Sequence, residues 1–129
     1  MRAIVDCALG RAVVDLDDAE IVELTDDEPD ERPETGISLP LLVDADRHGS
    51  RVVAVVDRRP PIVVSDDAGV TWREAGGGLP PGRAVAISPE HPDLVLFASE
   101  NRLHVSRDGG RFWQALALEL PSITRVQLT

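Results

Sequence analysis

Apolar residues along this chain come in short runs rather than in one long helical stripe. The clearest runs are rich in Val, Ile and Leu and lie at 51–57, 61–65, 83–89, 93–100 and 102–106. Turn-forming residues separate them, among them Pro-Pro, Asp-Asp-Ala-Gly, Gly-Gly-Gly and Asp-Gly-Gly. Short β-branched runs bounded by such residues are typical of strands joined in hairpins. The pattern therefore predicts an all-β fold, and the best helical stretch, 16–24, fits better as part of a repeat.

One octapeptide occurs twice in the second half of the chain. SDDAGVTW occupies 65–72, and SRDGGRFW occupies 106–113, forty-one residues later. The surrounding segments share one order of features: a strand, a tight connection, a second strand, an acidic-glycine turn and a strand that begins near Trp. Another apolar stretch lies upstream of each. We therefore predict two repeated units of four strands each.

A weaker third copy is predicted near the N-terminus. Setting Val14 against Val64 and Val105 aligns residues 15–22, DLDDAEIV, with the two octapeptides. In this copy Asp replaces the Ser and Val replaces the Trp. Its unit lacks a first strand, whereas 122–129 is a strand with nothing after it. The chain is thus predicted to hold twelve strands in three units with permuted ends, so that the last strand can complete a first unit.

The predicted organisation is a single domain. Its parts are an incomplete unit, an acidic loop, two full units and a final strand, at 1–25, 26–36, 37–79, 80–121 and 122–129 respectively. The loop is charged and carries two prolines, which explains why the first repeat step is longer than the second.

The octapeptides resemble the Asp-box, or BNR repeat, of β-propellers such as sialidases, sortilin-like receptors and photosystem assembly factors. The matching positions are Ser65, Asp67, Gly69 and Trp72 in one copy and Ser106, Asp108, Gly110 and Trp113 in the other. The resemblance implies that each unit is a blade and that these residues are structural, because Asp-boxes lie at the blade periphery, away from the central funnel. It implies little about function, because the family includes enzymes, receptors and scaffolds.

The residue types fit a structural role on physical grounds as well. An Asp in a tight turn accepts hydrogen bonds from nearby backbone N–H groups. Gly permits a positive φ where the chain reverses. Trp supplies a large apolar surface at the outer strand, where a blade otherwise lacks core.

Three blades are too few to close a propeller, which has about four to eight. An open set would leave bare sheet edges and apolar faces. Two chains supply six blades, with 122–129 of each chain as the innermost strand of the partner's first blade. We therefore predict a homodimeric six-bladed propeller. The alternatives are a free-standing three-blade piece that closes its own end, a piece that pairs with a longer propeller, and other ring sizes.

Composition and charge narrow the partners. The chain has 13 basic and 23 acidic residues and a net charge of −10, so the phosphates of nucleic acids and anionic membranes would repel it. A single cysteine, Cys7, excludes an internal disulfide and is predicted to be a buried structural thiol. The N-terminus does not resemble a signal peptide, and no run approaches the roughly 20 apolar residues of a membrane span. A cytoplasmic location is therefore predicted.

Candidate chemistry is sparse. Sialidase-like enzymes use a Tyr nucleophile, and this chain has no Tyr. His48, His91 and His104 fit no metal motif, and the glycine-rich stretch 76–82 lacks the Lys of a phosphate-binding loop. We therefore predict no catalytic residue, cofactor or metal. The acidic stretch 15–34 is predicted to be a solvated loop with an adjoining strand; docking to a basic protein or weak Ca²⁺ binding are the alternatives.

The prediction for function is a non-catalytic propeller that acts as a binding or scaffold module. Propeller ligands usually sit in the central funnel, so His48, Arg83 and Arg125 are candidates for lining it. The alternative function is a carbohydrate-binding protein or a degenerate sialidase-like glycosidase.

Overall fold

A computed structural model describes residues 1–26 and 35–128. These residues form strands and no helix, which confirms the all-β class, and nothing in them could span a lipid bilayer as a helix. Most of the predicted acidic loop at 26–36 lies outside the described residues. The strands are β1 (Arg2–Cys7), β2 (Gly10–Asp15), β3 (Glu20–Thr25), β4 (Leu42–His48), β5 (Arg51–Val56), β6 (Ile62–Ser65), β7 (Arg73–Ala75), β8 (Gly82–Ile87), β9 (Val95–Ser99), β10 (Arg102–Ser106), β11 (Gln114–Glu119) and β12 (Arg125–Leu128).

The strands form three antiparallel sheets of four strands each. Sheet I has the order β12-β1-β2-β3, sheet II the order β4-β5-β6-β7, and sheet III the order β8-β9-β10-β11. Sheets II and III fall within the full units predicted at 37–79 and 80–121. Each of them is a plain succession of hairpins, whereas sheet I joins the two ends of the chain.

Sheet III lies between the other two sheets. One of its faces, which includes Leu96, packs on Val5 and the rest of one face of sheet I. Its other face, which includes Phe97, packs on Val55 and neighbouring residues of sheet II. Successive residues of a strand point to opposite faces, so a strand of the middle sheet must be apolar on both. All five residues of β9 are accordingly buried.

The three sheets approach one another at the strands β4, β8 and β12. Asp44 and Asp46 of β4 accept hydrogen bonds from the backbone N–H groups of Val85 and Ile87 in β8, at 3.0 and 2.7 Å. Two carboxylates therefore accept hydrogen bonds from backbone N–H groups on the outer edge of β8, where this strand has no neighbouring strand in its own sheet.

Sheets II and III come very close at Gly82, the first residue of β8. A Cβ atom at this position would lie 2.3 Å from Cε2 of Phe97 and 2.6 Å from Cγ1 of Val55. Both of these side chains are fully buried. The contact between the sheets here therefore depends on the absence of a side chain.

The C-terminal strand lies beside β1, as the permuted ends predict, but in the same chain. Arg125 to Leu128 pair with Asp6 to Ala3 of that chain's own β1. Within one chain this position is therefore already filled, whereas the predicted exchange of 122–129 with a partner's first blade stays a prediction. The connection before β12 is held locally, because Leu120 and Ile123 donate backbone N–H groups to the carbonyls of Asn101 and Glu100, at 2.9 and 2.7 Å. From that position β12 reaches its own β1, and sheet I is complete without strand exchange.

The N-terminal copy of the octapeptide does not fold like the other two. Four residues, 16–19, join β2 to β3, whereas the loops after β6 and β10 run from 66 to 72 and from 107 to 113. The short turn is capped differently, because Asp15 Oδ1 accepts the backbone N–H groups of Asp17 and Asp18 at 2.9 and 3.1 Å. Val22, aligned with the two tryptophans, is 48% exposed on β3.

The register of that alignment also differs from the structure. The sheets pack in the order II, III, I. Val64 of sheet II faces sheet III, and Val105 of sheet III faces sheet I. Val14, which was aligned with both, packs back on sheet III instead. Since a shift of one residue turns every side chain of a strand to the other face, the alignment is out of register.

Candidate functional site

Both octapeptides fold into the same hydrogen-bonded turn between the third and fourth strands of their sheets. In the first, Ser65 Oγ donates to Asp67 Oδ1 at 2.7 Å and accepts the N–H of Gly69 at 2.8 Å. The equivalent bonds of the second turn, made by Ser106, measure 2.8 and 2.9 Å. The matching serines and acidic residues thus hold their own turns.

The central carboxylate of each turn is occupied by local donors. Asp67 accepts the hydroxyl and the backbone N–H of Thr71, and these bonds, the hydroxyl first, lower the pKa of Asp67 to about 2. Asp108 accepts the N–H groups of Phe112 and Arg111 at 3.0 Å, and the bond from Phe112 contributes most to lowering the pKa of Asp108. A carboxylate held ionised in this way is a poor proton carrier near neutral pH.

The glycines and tryptophans of the two turns also have structural contacts. Gly69 and Gly110 have φ angles of +92° and +95°, which a side chain would strain. Trp113 donates its indole N–H to the carbonyl of Gly110 at 3.0 Å, and its ring meets Phe97 edge-on at 6.0 Å. Trp72 packs on the face of sheet II that points away from sheet III.

Arg51 ties sheet II to the loop between β8 and β9 of sheet III. Its guanidinium donates to Asp66 and to Asp93, each at 2.8 Å, and to the carbonyl of Pro92 at 3.0 Å. Its side chain is 21% exposed, and the hydrogen bond to Asp93 contributes most to raising its pKa. The planar guanidinium group of Arg51 thus binds three acceptors that belong to loops of two different sheets.

A hollow of about 280 Å³ opens where β4, β8 and β12 meet. His48 lines it together with Asp46 and Arg47, and residues of β8 and β12 form the rest of its wall. Of the three residues predicted to line a funnel, only His48 lines this hollow. Arg125 lies opposite Asp6 of β1, and Arg83 lines a different cavity. The structure therefore does not bring the three predicted residues together.

A larger cavity of about 490 Å³ lies at the end of sheet III where β9 turns into β10. We call it the edge cavity; it is lined by Pro80, Pro81, Arg83, Ser99, Glu100, Asn101, Arg102, His104, Ala115 and Glu119. Sequence reasoning missed it. The available signal was the alternation of Arg102 and His104 on one face of a strand whose other face is apolar.

A break in the strand register shapes the edge cavity. Arg102 lies opposite Glu119, but His104 lies opposite Ala115, so three residues of β11 face Leu103 alone. Such a bulge bends the strand away from its partner and opens the sheet edge. Arg102 and Glu119 remain paired across the gap at 2.6 Å.

His104 is the buried polar residue of the edge cavity. It is 7% exposed, its ring centre lies 5.5 Å from that of Phe97, and its Nε2 atom has no hydrogen-bond partner. Burial lowers the pKa of His104, and the charge of Arg102 adds to the effect. The imidazole is therefore neutral at physiological pH.

A third cavity, of about 330 Å³, is apolar and lies on the far face of sheet II. Its lining includes Leu39, Leu41, Val63 and Trp72. Among residues 1–26 and 35–128, no second sheet lies against this face and the segment before β4 covers it in part, so the cavity marks apolar surface.

Two other kinds of site to consider in residues 1–26 and 35–128 are a metal site and a reactive cysteine. That part of the chain holds no group of three or more His, Cys, Asp or Glu side chains suited to a metal ion. Cys7, predicted to be buried, is a half-buried free thiol that points its sulfur at the carbonyl of Gly10, 3.6 Å away. No protein-family model matches the chain, and no curated protein is significantly similar to it in sequence.

Proposed function

We propose that this chain is half of a six-bladed β-propeller of the Asp-box type, that a second copy completes the ring, and that the ring is a non-catalytic binding or scaffold module. Each of the three sheets would be one blade. The strands β4, β8 and β12 would line the central channel, with the octapeptide turns at the periphery. The observation that carries the proposal is the unequal covering of the sheets.

The middle sheet is covered on both faces, and the end sheets are not. Sheet III packs on sheet I by one face and on sheet II by the other. The described part of the chain contains no core cluster that joins sheet I to sheet II. Each end sheet therefore keeps one face that no other sheet opposes, as expected of a ring that has been cut.

Exposed apolar side chains follow the same distribution. Within the described strands, the large apolar residues that are exposed lie in the end sheets: Ile21, Val22 and Leu24 in β3, and Leu42 and Val43 in β4. Leu41, just before β4, is 59% exposed. No strand of the middle sheet exposes a large apolar side chain. Exposed apolar side chains concentrated on the end sheets favour association through those sheets.

A second copy is the occupant that supplies three more sheets of the same size. Placing the open face of sheet I against the open face of the partner's sheet II, twice, gives an isologous pair with two identical seams. The contact between sheets II and III is the model for such a seam, because there too one four-stranded sheet packs face to face on another. The strand exchange predicted from the sequence is not required, because β12 already completes sheet I.

The non-catalytic role is supported by the hydrogen bonds that the central acidic residues of the two octapeptides make within their own turns. Asp67 and Asp108 each accept several hydrogen bonds from their own loops, which commits both carboxylates to structure. The repeated turns then act as fixed corners of a rigid frame. A frame with a central channel and variable loops suits binding better than chemistry.

The oligomeric mass of the full chain tests the proposal. Light scattering at micromolar concentration should give twice the chain mass of 13.9 kDa. The double variant Leu41→Asp/Val43→Asp should shift the mass to that of one chain, because it places two charges on the open face of sheet II. The matched control is Val70→Asp, which adds a charge at an 80% exposed apolar residue in an octapeptide turn.

The outcomes separate clearly. A folded wild-type monomer at this concentration would refute the dimeric ring. A dimer that survives the double variant, or that is equally weakened by the control, would show that the open face of sheet II is not the interface.

A further inference from the structure

The edge cavity is a polar site that the proposed ring does not use. All its lining residues belong to one chain, and they come from sheet III and from the connection between sheets II and III. Its volume of about 490 Å³ is within the usual range for small-molecule sites. An inference about this cavity is therefore independent of dimerisation.

Three polar side chains at the mouth of the cavity have unused hydrogen-bonding capacity. Arg83 and Glu100 approach each other only to 3.7 Å, which is too long for a hydrogen bond, and they are 47% and 68% exposed. Neither these two groups nor the carboxamide of Asn101 makes a side-chain hydrogen bond to another described residue. The mouth therefore offers a cation and an anion that are only loosely paired with each other, and an amide without a side-chain hydrogen bond to the described residues. In contrast, Arg102 and Glu119 bind each other at 2.6 Å.

The floor of the cavity is less polar and includes a buried group with an unmet bond. The His104 ring lies against Phe97, and its Nε2 atom has no partner. A buried polar nitrogen without a hydrogen bond is costly in a folded protein, but this atom is inaccessible to solvent and therefore does not itself contact a ligand in the cavity. Pro80, Pro81 and Ala115 supply apolar wall beside it.

The charges of the cavity select the kind of ligand. Arg83 and Arg102 are balanced by Glu100 and Glu119, so the site has no net charge. A simple anion would meet two carboxylates within the site and a chain of net charge −10 around it. A simple cation would meet two guanidinium groups. A molecule with one group of each sign can satisfy both members of the loosely paired Arg83 and Glu100.

We propose that the edge cavity binds a small zwitterion, namely a free α-amino acid with an apolar side chain. The ligand carboxylate accepts hydrogen bonds from Arg83 and Asn101, and its ammonium group donates to Glu100. Its side chain lies on the wall formed by Pro80, Pro81 and the His104 ring. This arrangement replaces one loose ion pair by two charge-assisted contacts of normal length.

Calorimetry and ligand-observed NMR with L-leucine and L-phenylalanine as probes test the proposal. We expect at least one of them to bind at about 1 mM or tighter. For an amino acid that binds, removing either charged group should weaken binding by about tenfold or more. Isocaproate, which is leucine without its ammonium group, and isoamylamine, which is leucine without its carboxylate, are the matched analogues.

Variants assign the contacts. Arg83→Gln and Glu100→Gln should each weaken amino-acid binding about tenfold, and Glu100→Gln should also remove the preference for leucine over isocaproate. Arg47→Gln is the control, because Arg47 is an exposed arginine on β4 that lines the separate hollow. The proposal is overturned if neither amino acid binds at about 10 mM, if isocaproate binds wild type as well as leucine does, or if the control variant weakens binding equally.

Discussion

Gly82→Ala is the substitution that best tests how sheets II and III pack. Gly82 opens β8 at the point where the two sheets approach most closely. The new methyl group would lie 2.3 Å from Phe97 Cε2 and 2.6 Å from Val55 Cγ1, where ordinary contacts begin at 3.4 Å. Neither neighbour can move into solvent, because Phe97 and Val55 are both fully buried.

The expected loss of stability follows from two opposing effects. Forcing one extra methyl group into a well-packed core costs about 1–3 kcal/mol, and an overlap of about 1 Å with each of two buried side chains lies at the upper end. The lower conformational entropy of the unfolded chain that accompanies Gly→Ala returns about 0.4–1 kcal/mol. The net loss in the free energy of unfolding should be about 2 kcal/mol. In a domain of this size, that lowers the Tm by roughly 8 °C.

Denaturant unfolding followed by Trp fluorescence measures the effect, with Gly77→Ala as the control. Gly77 has no atom within 4 Å of its would-be Cβ and no positive φ, so its substitution should change stability by less than about 0.5 kcal/mol. Gly82→Ala should cost less stability in a Phe97→Leu chain than in the wild type, because Phe97→Leu removes ring atoms that the methyl group meets. If Gly82→Ala proves as stable as Gly77→Ala, the close packing of sheets II and III described above is wrong.

Three further predictions concern charged and titratable groups. The pKa of Asp67 is lowered to about 2 from 3.8, so its ionised carboxylate stabilises the fold above a pH of about 4, and this contribution disappears as the pH falls through 2. In Asp67→Asn, the free energy of unfolding measured by denaturant titration should therefore fall less steeply between pH 4 and pH 2 than in the wild type. The pKa of His104 is lowered by burial, so stability should fall as the pH drops below about 6.5, the ordinary value for His, and His104→Phe should remove that slope between pH 7 and pH 5. Arg51→Lys should cost about 1 kcal/mol in thermal unfolding, because one ammonium group cannot hold Asp66, Asp93 and the Pro92 carbonyl together; an unchanged Tm would show that this fork contributes nothing.

The strands and their grouping could be predicted because their signals are local. Short continuous runs rich in Val and Ile, bounded by Gly, Pro and Asp, specify strands wherever they fall in the chain. The two octapeptides mark the third hairpin of sheets II and III because Ser, Asp and Gly must stand at fixed offsets for the turn to form. Ser65 and Ser106 accordingly make the same bonds in the structure.

The first unit was harder to predict because its turn lost those offsets. In DLDDAEIV the Ser and Trp are absent, so the alignment rested on Val14 and on the acidic residues that follow it. Asp15 caps a four-residue turn at 16–19, and neighbouring strand residues such as Val14 face the opposite way from their aligned partners. Without a fixed turn, a strand register is set by packing against another sheet, which a single sequence does not display.

Local signals in the sequence are enough to predict that this protein is all-β, that its strands come in four-stranded groups, and that two matching turns mark two of those groups. These properties depend on backbone preferences and on contacts between residues close in the chain. Long-range packing, in contrast, sets the pairing of β12 with β1, places Arg83 and His48 in different cavities, and produces the bulge of β11 opposite Leu103 that opens a polar site around His104. Each of these depends on which distant segments pack together, because side chains far apart in the chain become neighbours only when the sheets close on a common core.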